Sequence, residues 1–334
     1  MQCRNLIIGL ALAAAAFAAP AQQPIVIKFS HVVAVDTPKG KAADYFKKLA
    51  EERSKGRVRV EVYPNSQLYR DMEEMQPLQV GAVQMLAPTF AKLVPLGAKE
   101  FELFDLPYVF NDYNELHRIT QGSIGRQLLA KLDAKGILGL AFWDNGFKQM
   151  SANRPLRQPE DFKGLKMRVQ QGSRALEAQM RALGATAQGL ALSEVSRALQ
   201  AGVIDGAENP ASNFYSQKIY EVQKYMTLSD HGYLGYAVIV NKKFWEGLPA
   251  DIRTILETAM RDATKYANDI AKKENDDALE LVKKSGKTQI ITLTPQEKAA
   301  WKKALSKVRA EMESRIGKVL LEAIDKETGF IAGK

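Results

Sequence analysis

Apolar and polar positions alternate in short blocks along the first part of the chain, and this pattern predicts strands separated by helices. Residues 25–30 form a β-branched run that is typical of a strand. Thr37 and Pro38 then supply a helix cap and a proline at the first helical position, so we expect a helix from there to about Ser54. Gly56 is expected to end this helix.

The same alternation continues further along the chain. Period-two alternation over residues 57–63 predicts a second strand, and the apolar run at 83–87 predicts a third, with a helix capped by Asp71 between them. A helix pair over 112–135 then leads into a strand at 137–143. This βαβαβ order is typical of an α/β domain with a largely parallel sheet.

A second α/β unit follows in outline. Residues 165–169 predict a strand, 173–183 and 193–201 predict helices, and 203–207 predicts another strand. Residues 236–241 are a further β-branched run with strand character. The predicted fold class is therefore α/β, with two domains in the chain.

A long helix is predicted near the C-terminal end, because residues 250–285 contain neither glycine nor proline. These 36 residues would form a helix about 54 Å long, which exceeds the span of a single small domain. We expect the helix to lie across both domains. Its apolar side chains at helical spacing are Ile252, Leu256, Ala259, Ala263, Tyr266 and Ile270. A capping box at Thr294 and Glu297 opens the last long helix.

Composition narrows the class of protein. A length of 334 residues excludes a small disulfide-stapled module. Hydrophobic residues at 46% and charged residues at 25% are ordinary values for a folded soluble protein, which disfavours disorder and a multi-span membrane protein. The net charge of +9 leaves nucleic acid, a membrane surface and acidic small molecules as partner classes. Acidic residues lie among the basic ones along the helices, which disfavours nucleic acid.

The N-terminus has the pattern of a Sec signal peptide over residues 1–21. A cationic start is followed by the apolar run at 6–19, and Ala19 and Ala21 fit the small-residue cleavage rule. The apolar run would span only about 21 Å as a helix, so retention as a membrane anchor is the weaker alternative. Cleavage after Ala21 would place the protein in the periplasm, without Cys3 and with a net charge of +8.

The sequence contains no recognisable catalytic or metal-binding motif. Its three histidines are scattered, Cys3 is the only cysteine, and phosphate-binding, dinucleotide-binding and serine-hydrolase signatures are absent. We therefore expect a binding protein with no catalytic residues, no metal and no cofactor. The alternative is an exported enzyme acting on an organic acid, with Glu208 or Asp144 as general base.

The end of the strand at 165–169 offers a candidate anion site. Arg168 lies near its carboxyl end, where ligands bind in open α/β sheets, and Ser173 is the predicted cap of the next helix. A guanidinium group and a helix N-terminus that converge on one point would bind a carboxylate. The alternative is a surface strand whose Lys166 and Arg168 face water.

Several long motifs resemble those of a known protein family. They are YPNSQL at 63–68, DLPY at 105–108, NRPLRQPEDFKGLKMRV at 153–169, LSEVSRALQAGVIDGAENP at 192–210 and HGYLGYAVIVN at 231–241. Over essentially the whole mature chain, the sequence is similar to the solute-binding proteins of tripartite ATP-independent periplasmic (TRAP) transporters. Within that family it most resembles the four-carbon-dicarboxylate-binding, or DctP, type.

The resemblance implies a two-lobed periplasmic-binding-protein clamshell with a long helix spanning both lobes. We expect one lobe to comprise residues 22–145 and 235–274, and the other to comprise 146–234 and 275–334. The resemblance also implies a transport component that delivers its ligand to a small and a large integral membrane subunit. We expect a monomer that binds no nucleic acid.

The resemblance further implies ligand-binding residues. Arg168 matches the family arginine that pairs with the substrate carboxylate, and Asn209 matches an asparagine that hydrogen-bonds the same group. Lys148 stands where many members carry a second arginine, so its contact with a carboxylate would be looser. Leu192 replaces the phenylalanine of many sialic-acid-type members, which argues against that substrate class.

The first lobe must supply the other half of the cleft. Polar residues near the ends of predicted strands and helices are candidates for this half and for the cleft walls: Lys39, Arg70, His31, Thr89, Asn213 and Tyr236. The predicted ligand is a small organic acid, in particular a four-carbon dicarboxylate such as succinate, malate or fumarate. A monocarboxylate, an aromatic acid or a sugar acid in the same fold is the alternative.

Overall fold

The structure is a computed structural model that describes residues 23–329, so the proposed signal peptide lies outside the described residues. The strands are β1 (Ile25–Ser30), β2 (Val58–Tyr63), β3 (Met85–Leu86), β4 (Ile137–Ala152), β5 (Lys166–Val169), β6 (Thr186–Gly189), β7 (Gly206–Asn209), β8 (Tyr225–Asn241) and β9 (Gln289–Thr292). The α-helices are α1 (Pro38–Arg53), α2 (Met75–Gln79), α3 (Tyr113–Thr120), α4 (Ser123–Ala130), α5 (Arg174–Ala182), α6 (Val195–Gln200), α7 (Ala211–Ser216), α8 (Lys242–Glu246), α9 (Ala250–Ser285), α10 (Pro295–Ile316) and α11 (Lys318–Thr328).

The strands form one mixed sheet in the order β2-β1-β3-β8-β4-β7-β5-β6, with β9 beside β8. β1 is parallel to β2 and β3, and β5 is parallel to β6 and β7. We call β2-β1-β3 the first part of the sheet and β7-β5-β6 the second part. Between them β4 and β8 are antiparallel to each other over most of their length. The expected α/β class is confirmed. The expectation of a largely parallel sheet is wrong, because the sheet has two parallel parts joined by an antiparallel centre.

The two central strands are much longer than predicted. β4 has 16 residues and β8 has 17, whereas the patterns predicted strands only at 137–143 and 236–241. The ladder between them shifts register between Asp144 and Gly146 and again between Lys148 and Met150. Such bulges break the alternation of side chains between the two faces, so a period-two pattern does not detect the whole strand.

Helix α9 spans Ala250–Ser285, as predicted, and lies along both parts of the sheet. It packs against α1 beside the first part, against β4 at the centre and against α7 beside the second part. The alanines among its buried residues let the helix approach the sheet closely. The buried residues are Ile252, Leu256, Ala259, Met260, Ala263, Ala267, Ala271, Ala278 and Val282. Nothing between residues 23 and 329 has both the length and the apolar character of a membrane-spanning helix. The division into lobes at the stated boundaries stays a prediction.

The predicted helix caps are confirmed where the capping side chain accepts a hydrogen bond from an amide of the helix that follows it. Thr37 accepts a hydrogen bond from the Gly40 amide at the start of α1, and Thr294 and Glu297 form the predicted capping box of α10. Asp71 does not cap a helix, because α2 begins only at Met75. Its carboxylate instead accepts a hydrogen bond from the distant Leu192 amide at 2.6 Å.

Candidate ligand-binding site

A cavity lies where the carboxyl ends of strands from both parts of the sheet meet. Its empty volume is about 300 Å³, including its opening to solvent. The walls come from segments that follow β1, β2, β3 and β6, from the ends of β5 and β7, and from α7 and β8. The lining side chains are Val32, Val33, Asp71, Thr89, Arg168, Gln170, Leu192, Asn209, Asn213, Leu234 and Tyr236. Ligands of open α/β sheets bind at this edge.

Arg168 places a positive charge in the cavity wall. The residue is only 3% exposed, and its Nε and Nη2 donate to the Leu190 carbonyl at 3.0 and 2.9 Å. These two bonds hold the guanidinium group rigid, while its Nη1 donates to no protein atom within residues 23–329. Burial lowers the pKa of Arg168, and the charges of Asp71 and Glu208 oppose that shift. An arginine remains charged under these conditions, so the group is ready to pair with an anion.

Three further polar atoms of the cavity wall are buried without a hydrogen-bond partner in the described part of the chain. They are Asn209 Nδ2 at the end of β7, Thr89 Oγ1 after β3 and Gln170 Oε1 after β5. Buried polar side chains are nearly always hydrogen-bonded in native proteins. In the cavity beside Arg168, Asn209 Nδ2 can donate to a ligand and Thr89 Oγ1 can donate or accept, whereas Gln170 Oε1 can only accept from one.

Asn213 and Tyr236 form a second polar wall. Asn145 Nδ2 donates to Asn213 Oδ1 at 3.1 Å and to Tyr236 Oη at 2.7 Å. Since Asn145 already donates to Tyr236 Oη, the hydroxyl proton of Tyr236 is left for another acceptor. Burial raises the pKa of Tyr236 to about 12, so the hydroxyl group keeps this proton.

Asp71 is a cavity residue that the sequence reasoning missed as a site residue. It forms an ion pair with Lys92, and Lys92 also contacts Glu74 Oε1 at 2.7 Å. Burial by itself would raise the pKa of Asp71, but the charge and hydrogen bond of Lys92 lower it to about 2. No spacing rule indicates this group, because Asp71, Lys92 and Leu192 meet only through the tertiary fold. The Asp71–Leu192 hydrogen bond joins the two sides of the cavity.

Lys148 does not line the cavity in this structure. Its Nζ lies 2.7 Å from Glu208 Oε1, while Glu208 Oε2 lies 2.8 Å from His231 Nε2 and accepts from Gln179 Nε2 at 2.9 Å. A carboxylate can only accept, so His231 carries its proton on Nε2. Burial lowers the pKa of His231, which is consistent with a neutral ring. The predicted contact of Lys148 with a ligand stays a prediction.

Lys39, His31 and Arg70 also lie outside the cavity wall. Lys39 is fully buried and donates to the Ala87 carbonyl at 2.8 Å. Burial, and then the charge of Lys39, lower the pKa of His31 to about 3, so its ring is neutral. The Arg70 side chain is 62% exposed and lies 3.9 Å from Glu194. The structure therefore brings together Arg168, Asn209, Thr89, Asn213 and Tyr236 from the predicted set.

The start of α5 is not part of the cavity, which corrects one step of the sequence reasoning. Ser173 caps the helix as predicted, but the Arg174 amide donates to Glu102 Oε1 at 2.7 Å. A protein carboxylate therefore already occupies the helix N-terminus. Gly172 makes this turn with a φ of +96°, and a Cβ there would lie 2.8 Å from the Ala91 carbonyl oxygen. Across residues 23–329, no group of three or more His, Cys, Asp or Glu side chains is arranged to hold a metal ion.

Comparisons with known proteins agree on one family. The family model described as "DctP: Bacterial extracellular solute-binding protein, family 7" matches residues 29–315. The C4-dicarboxylate-binding periplasmic protein DctP of Rhodobacter capsulatus is 60% identical over 96% of this chain and 97% of its own length.

Two solved structures have the same fold and hold small acids. A TRAP periplasmic solute-binding protein of Shewanella oneidensis with bound succinate has a TM-score of 0.89 and 43% identity, and the alignment covers 91% of this chain and 99% of that one. A TRAP periplasmic solute-binding protein of Pseudomonas aeruginosa PAO1 with bound L-malate has a TM-score of 0.84 and 45% identity, over 86% of this chain and 100% of that one.

Proposed function

The chain belongs to the DctP family of bacterial extracellular solute-binding proteins, and we propose that it binds a four-carbon dicarboxylate such as succinate, malate or fumarate in the cavity around Arg168. It is the solute-binding component of a TRAP transporter. Relatives that bind C4-dicarboxylates, succinate and L-malate support this choice of ligand.

The observation that carries the proposal is the buried guanidinium group of Arg168 beside unpartnered polar atoms. One carboxylate of the ligand would pair with Arg168 Nη1 and accept from Asn209 Nδ2, and Thr89 Oγ1 would bond the remainder of the molecule. A hydrogen bond to a charged group contributes about 1.5–3 kcal/mol, so three or four such contacts suit a micromolar complex of about −8 kcal/mol after ordering costs.

The lining of the cavity suits a small acid. Polar side chains such as Arg168 and Asn209 stand beside apolar ones in its wall. Its apolar walls, formed by Val32, Val33 and Leu192, suit a short methylene segment between polar ends. Other small carboxylates share the same end group, so the binding experiment below must compare them.

The geometry does not favour the enzymatic alternative. Glu208 contacts Lys148, His231 and Gln179; burial alone would raise its pKa, but Lys148 and His231 outweigh burial and hold the pKa far below its usual range. Asp144 lies 2.6 Å from His117 Nε2 and accepts from Tyr233 Oη at 2.6 Å. Neither carboxylate lines the cavity, so neither is placed to act as a general base on a bound acid.

In the proposed function, the protein works in the periplasm and delivers its ligand to the small and large membrane subunits. The cavity is lined from both parts of the sheet, and Asp71 and Leu192 touch across it. A ligand that contacts both sides would favour the closed arrangement, because it binds that arrangement more tightly. The membrane subunits would recognise this closed form. We propose that the protein does this as a monomer.

We predict that succinate and L-malate will raise the midpoint of thermal unfolding. A ligand at 100 times its Kd stabilises the native state by about 2.7 kcal/mol, which corresponds to a rise of a few degrees. A thermal-shift screen against monocarboxylates, aromatic acids, sugar acids and neutral sugars, followed by calorimetric titration, tests the ligand class. A neutral sugar as the sole hit would contradict the proposal.

Two variants should show whether the Asn209 side chain donates a hydrogen bond to the ligand or has only a structural role. Asn209→Ala removes one hydrogen bond and should weaken succinate binding about tenfold. Asn209→Asp is nearly isosteric but replaces the donor with a second negative charge, so it should weaken binding by a larger factor. Calorimetric titration of both variants measures the difference. Equal affinities for Asn209→Asp and the wild type would remove Asn209 from the site.

A further inference from the structure

The protein buries three lysines between residues 23 and 329, and they differ in their partners. Lys92 lies between Asp71 and Glu74, and Lys148 pairs with Glu208. Lys39 is 1% exposed and forms no ion pair with any residue in that range. A buried ammonium group without a counter-ion is costly, so either the group loses its proton or an anion must come from outside the chain.

The position of Lys39 points to where that anion would bind. Its Nζ donates to the Ala87 carbonyl at 2.8 Å and lies 3.8 Å from the ring centroid of Tyr236. Tyr236 lines the cavity, and Thr89, two residues after Ala87, lines it as well. Lys39 Nζ therefore contacts a ring that lines the cavity, although Lys39 itself is not part of the cavity wall.

We propose that Lys39 is a proton-linked counter-charge for the ligand, so that binding of an anionic acid in the cavity is accompanied by uptake of a proton at Lys39 Nζ. The inference rests on the proposed function, because it requires an anion in this cavity. The proton comes from the solvent, and the only covalent bond that forms on the protein is the new N–H bond of Lys39 Nζ. Lys39 is thus a positioning residue that makes affinity depend on pH.

The charged surroundings of Lys39 support this assignment. Burial, followed by the positive charge of Lys92, lowers the pKa of Lys39 to about 7, although Glu74 and Asp71 oppose the shift. An added negative charge beside the Tyr236 ring would act like these carboxylates and raise the pKa of Lys39. The protein without ligand would then be only partly protonated at this nitrogen near neutral pH.

The other titratable groups around Lys39 and the cavity change little between pH 6.5 and 8.5. The pKa values of His31 and Asp71 are about 3 and about 2, and Tyr236 titrates at about 12. Asp71 and Glu74 hold the pKa of Lys92 above its usual range, and Arg168 stays charged. A proton taken up in this pH range on binding is therefore assigned to Lys39, and the variants below separate it from Asp105, whose pKa burial raises to about 6.

Calorimetric titration with succinate in buffers of different ionisation enthalpy measures the uptake. With a pKa of about 7, Lys39 is about one quarter protonated at pH 7.5, so we expect uptake of up to about three quarters of a proton per succinate. Between pH 6.5 and 8.5 the affinity should fall by up to roughly 20-fold, because the protonated fraction falls by that factor. The uptake should be largest between the pKa of Lys39 in the free protein and its raised pKa in the complex, and smaller at pH values on either side.

Three variants test whether the proton taken up on binding is bound by Lys39. Lys39→Arg keeps the charge permanently and should bind succinate without proton uptake and with an affinity independent of pH. Lys39→Met should also lose the uptake, and because it lacks the charge it should bind at pH 6.5 no more tightly than the wild type does at pH 8.5. Lys41→Met removes a half-buried lysine of α1 that pairs with Glu274, and this variant should keep the uptake of the wild type.

The outcomes separate this inference from the proposed function. Proton uptake in the wild type that disappears in Lys39→Arg or Lys39→Met supports the inference. Succinate or malate binding without proton uptake in the wild type, or with unchanged uptake in either variant, overturns it and leaves the proposed function intact. If none of the organic acids binds, both the proposed function and this inference fail.

Discussion

Replacing Arg168 with alanine should lower the affinity for succinate by roughly 30-fold to several thousand-fold, which corresponds to about 2–5 kcal/mol. The loss is large because the variant leaves a ligand carboxylate buried without its counter-charge. In the intact protein the guanidinium group is held in position by the Leu190 carbonyl, so little ordering is needed when the ligand arrives. Calorimetric titration gives the affinity directly.

Two controls make the Arg168 prediction specific. Arg70→Ala removes an exposed guanidinium group that lies outside the cavity, and its affinity for succinate should stay within about twofold of the wild type. Arg168→Lys keeps a charge but loses the planar fork, so it should bind more weakly than the wild type. Unchanged affinity in Arg168→Ala, with an unchanged unfolding transition, would contradict the ligand assignment.

Replacing Glu208 with glutamine should lower the free energy of unfolding by about 3–5 kcal/mol, because Lys148 then stays buried without its counter-charge. Such a loss is a large part of the stability of an ordinary domain, which is about 5–15 kcal/mol. Urea unfolding at neutral pH measures it. Glu280→Gln removes an exposed partner of Lys283 and should cost less than about 0.5 kcal/mol.

A double variant tests whether the cost comes from the unpaired lysine. Lys148→Met combined with Glu208→Gln removes both charges and keeps an acceptor for His231 or Gln179, so it should recover at least half of the loss. A double variant as unstable as Glu208→Gln alone would mean that the loss arises from the other hydrogen bonds. A single variant as stable as the wild type would contradict the pairing itself.

The same carboxylate should make stability depend on pH. Burial would raise the pKa of Glu208, but Lys148 and His231 outweigh it and hold the pKa well below the ordinary value of 4.5. A group with a lowered pKa in the folded state stabilises the protein fully above its unfolded pKa and less as the pH falls below it. We expect the unfolding free energy to fall below pH 4.5 with a steeper slope in the wild type than in Glu208→Gln.

Much of the fold could be predicted because its signals are local. The helix at Ala250–Ser285 agrees with the prediction, since an absence of glycine and proline over so many residues is decisive without any tertiary information. The caps at Thr37 and Thr294 lie within three residues of the amides that they bond. The central strands β4 and β8 were underpredicted because bulges and glycines hide their alternation.

Residues of the cavity wall could be predicted from the sequence where they lie at the carboxyl end of a strand, because that position by itself brings a side chain to the cavity. Arg168 and Asn209 lie at or near the carboxyl ends of β5 and β7, and the structure brings both to the cavity. Whether they bind the ligand stays a prediction for the titrations above. Asp71 escaped the sequence reasoning because it joins the site through Lys92 and Leu192, each of which is remote in the chain.

The sequence by itself determined the α/β class, the bounds of the long helix and of several other helices, and the neighbourhood of the strand ends that carry Arg168 and Asn209. The tertiary structure alone decided the different states of Lys39, Lys92 and Lys148, which look equivalent as sequence. Lys92 meets two carboxylates, Lys148 meets one and Lys39 meets a carbonyl and an aromatic ring. The electrostatics of a buried charge depend on partners within a few ångströms, and only the folded chain brings those partners together.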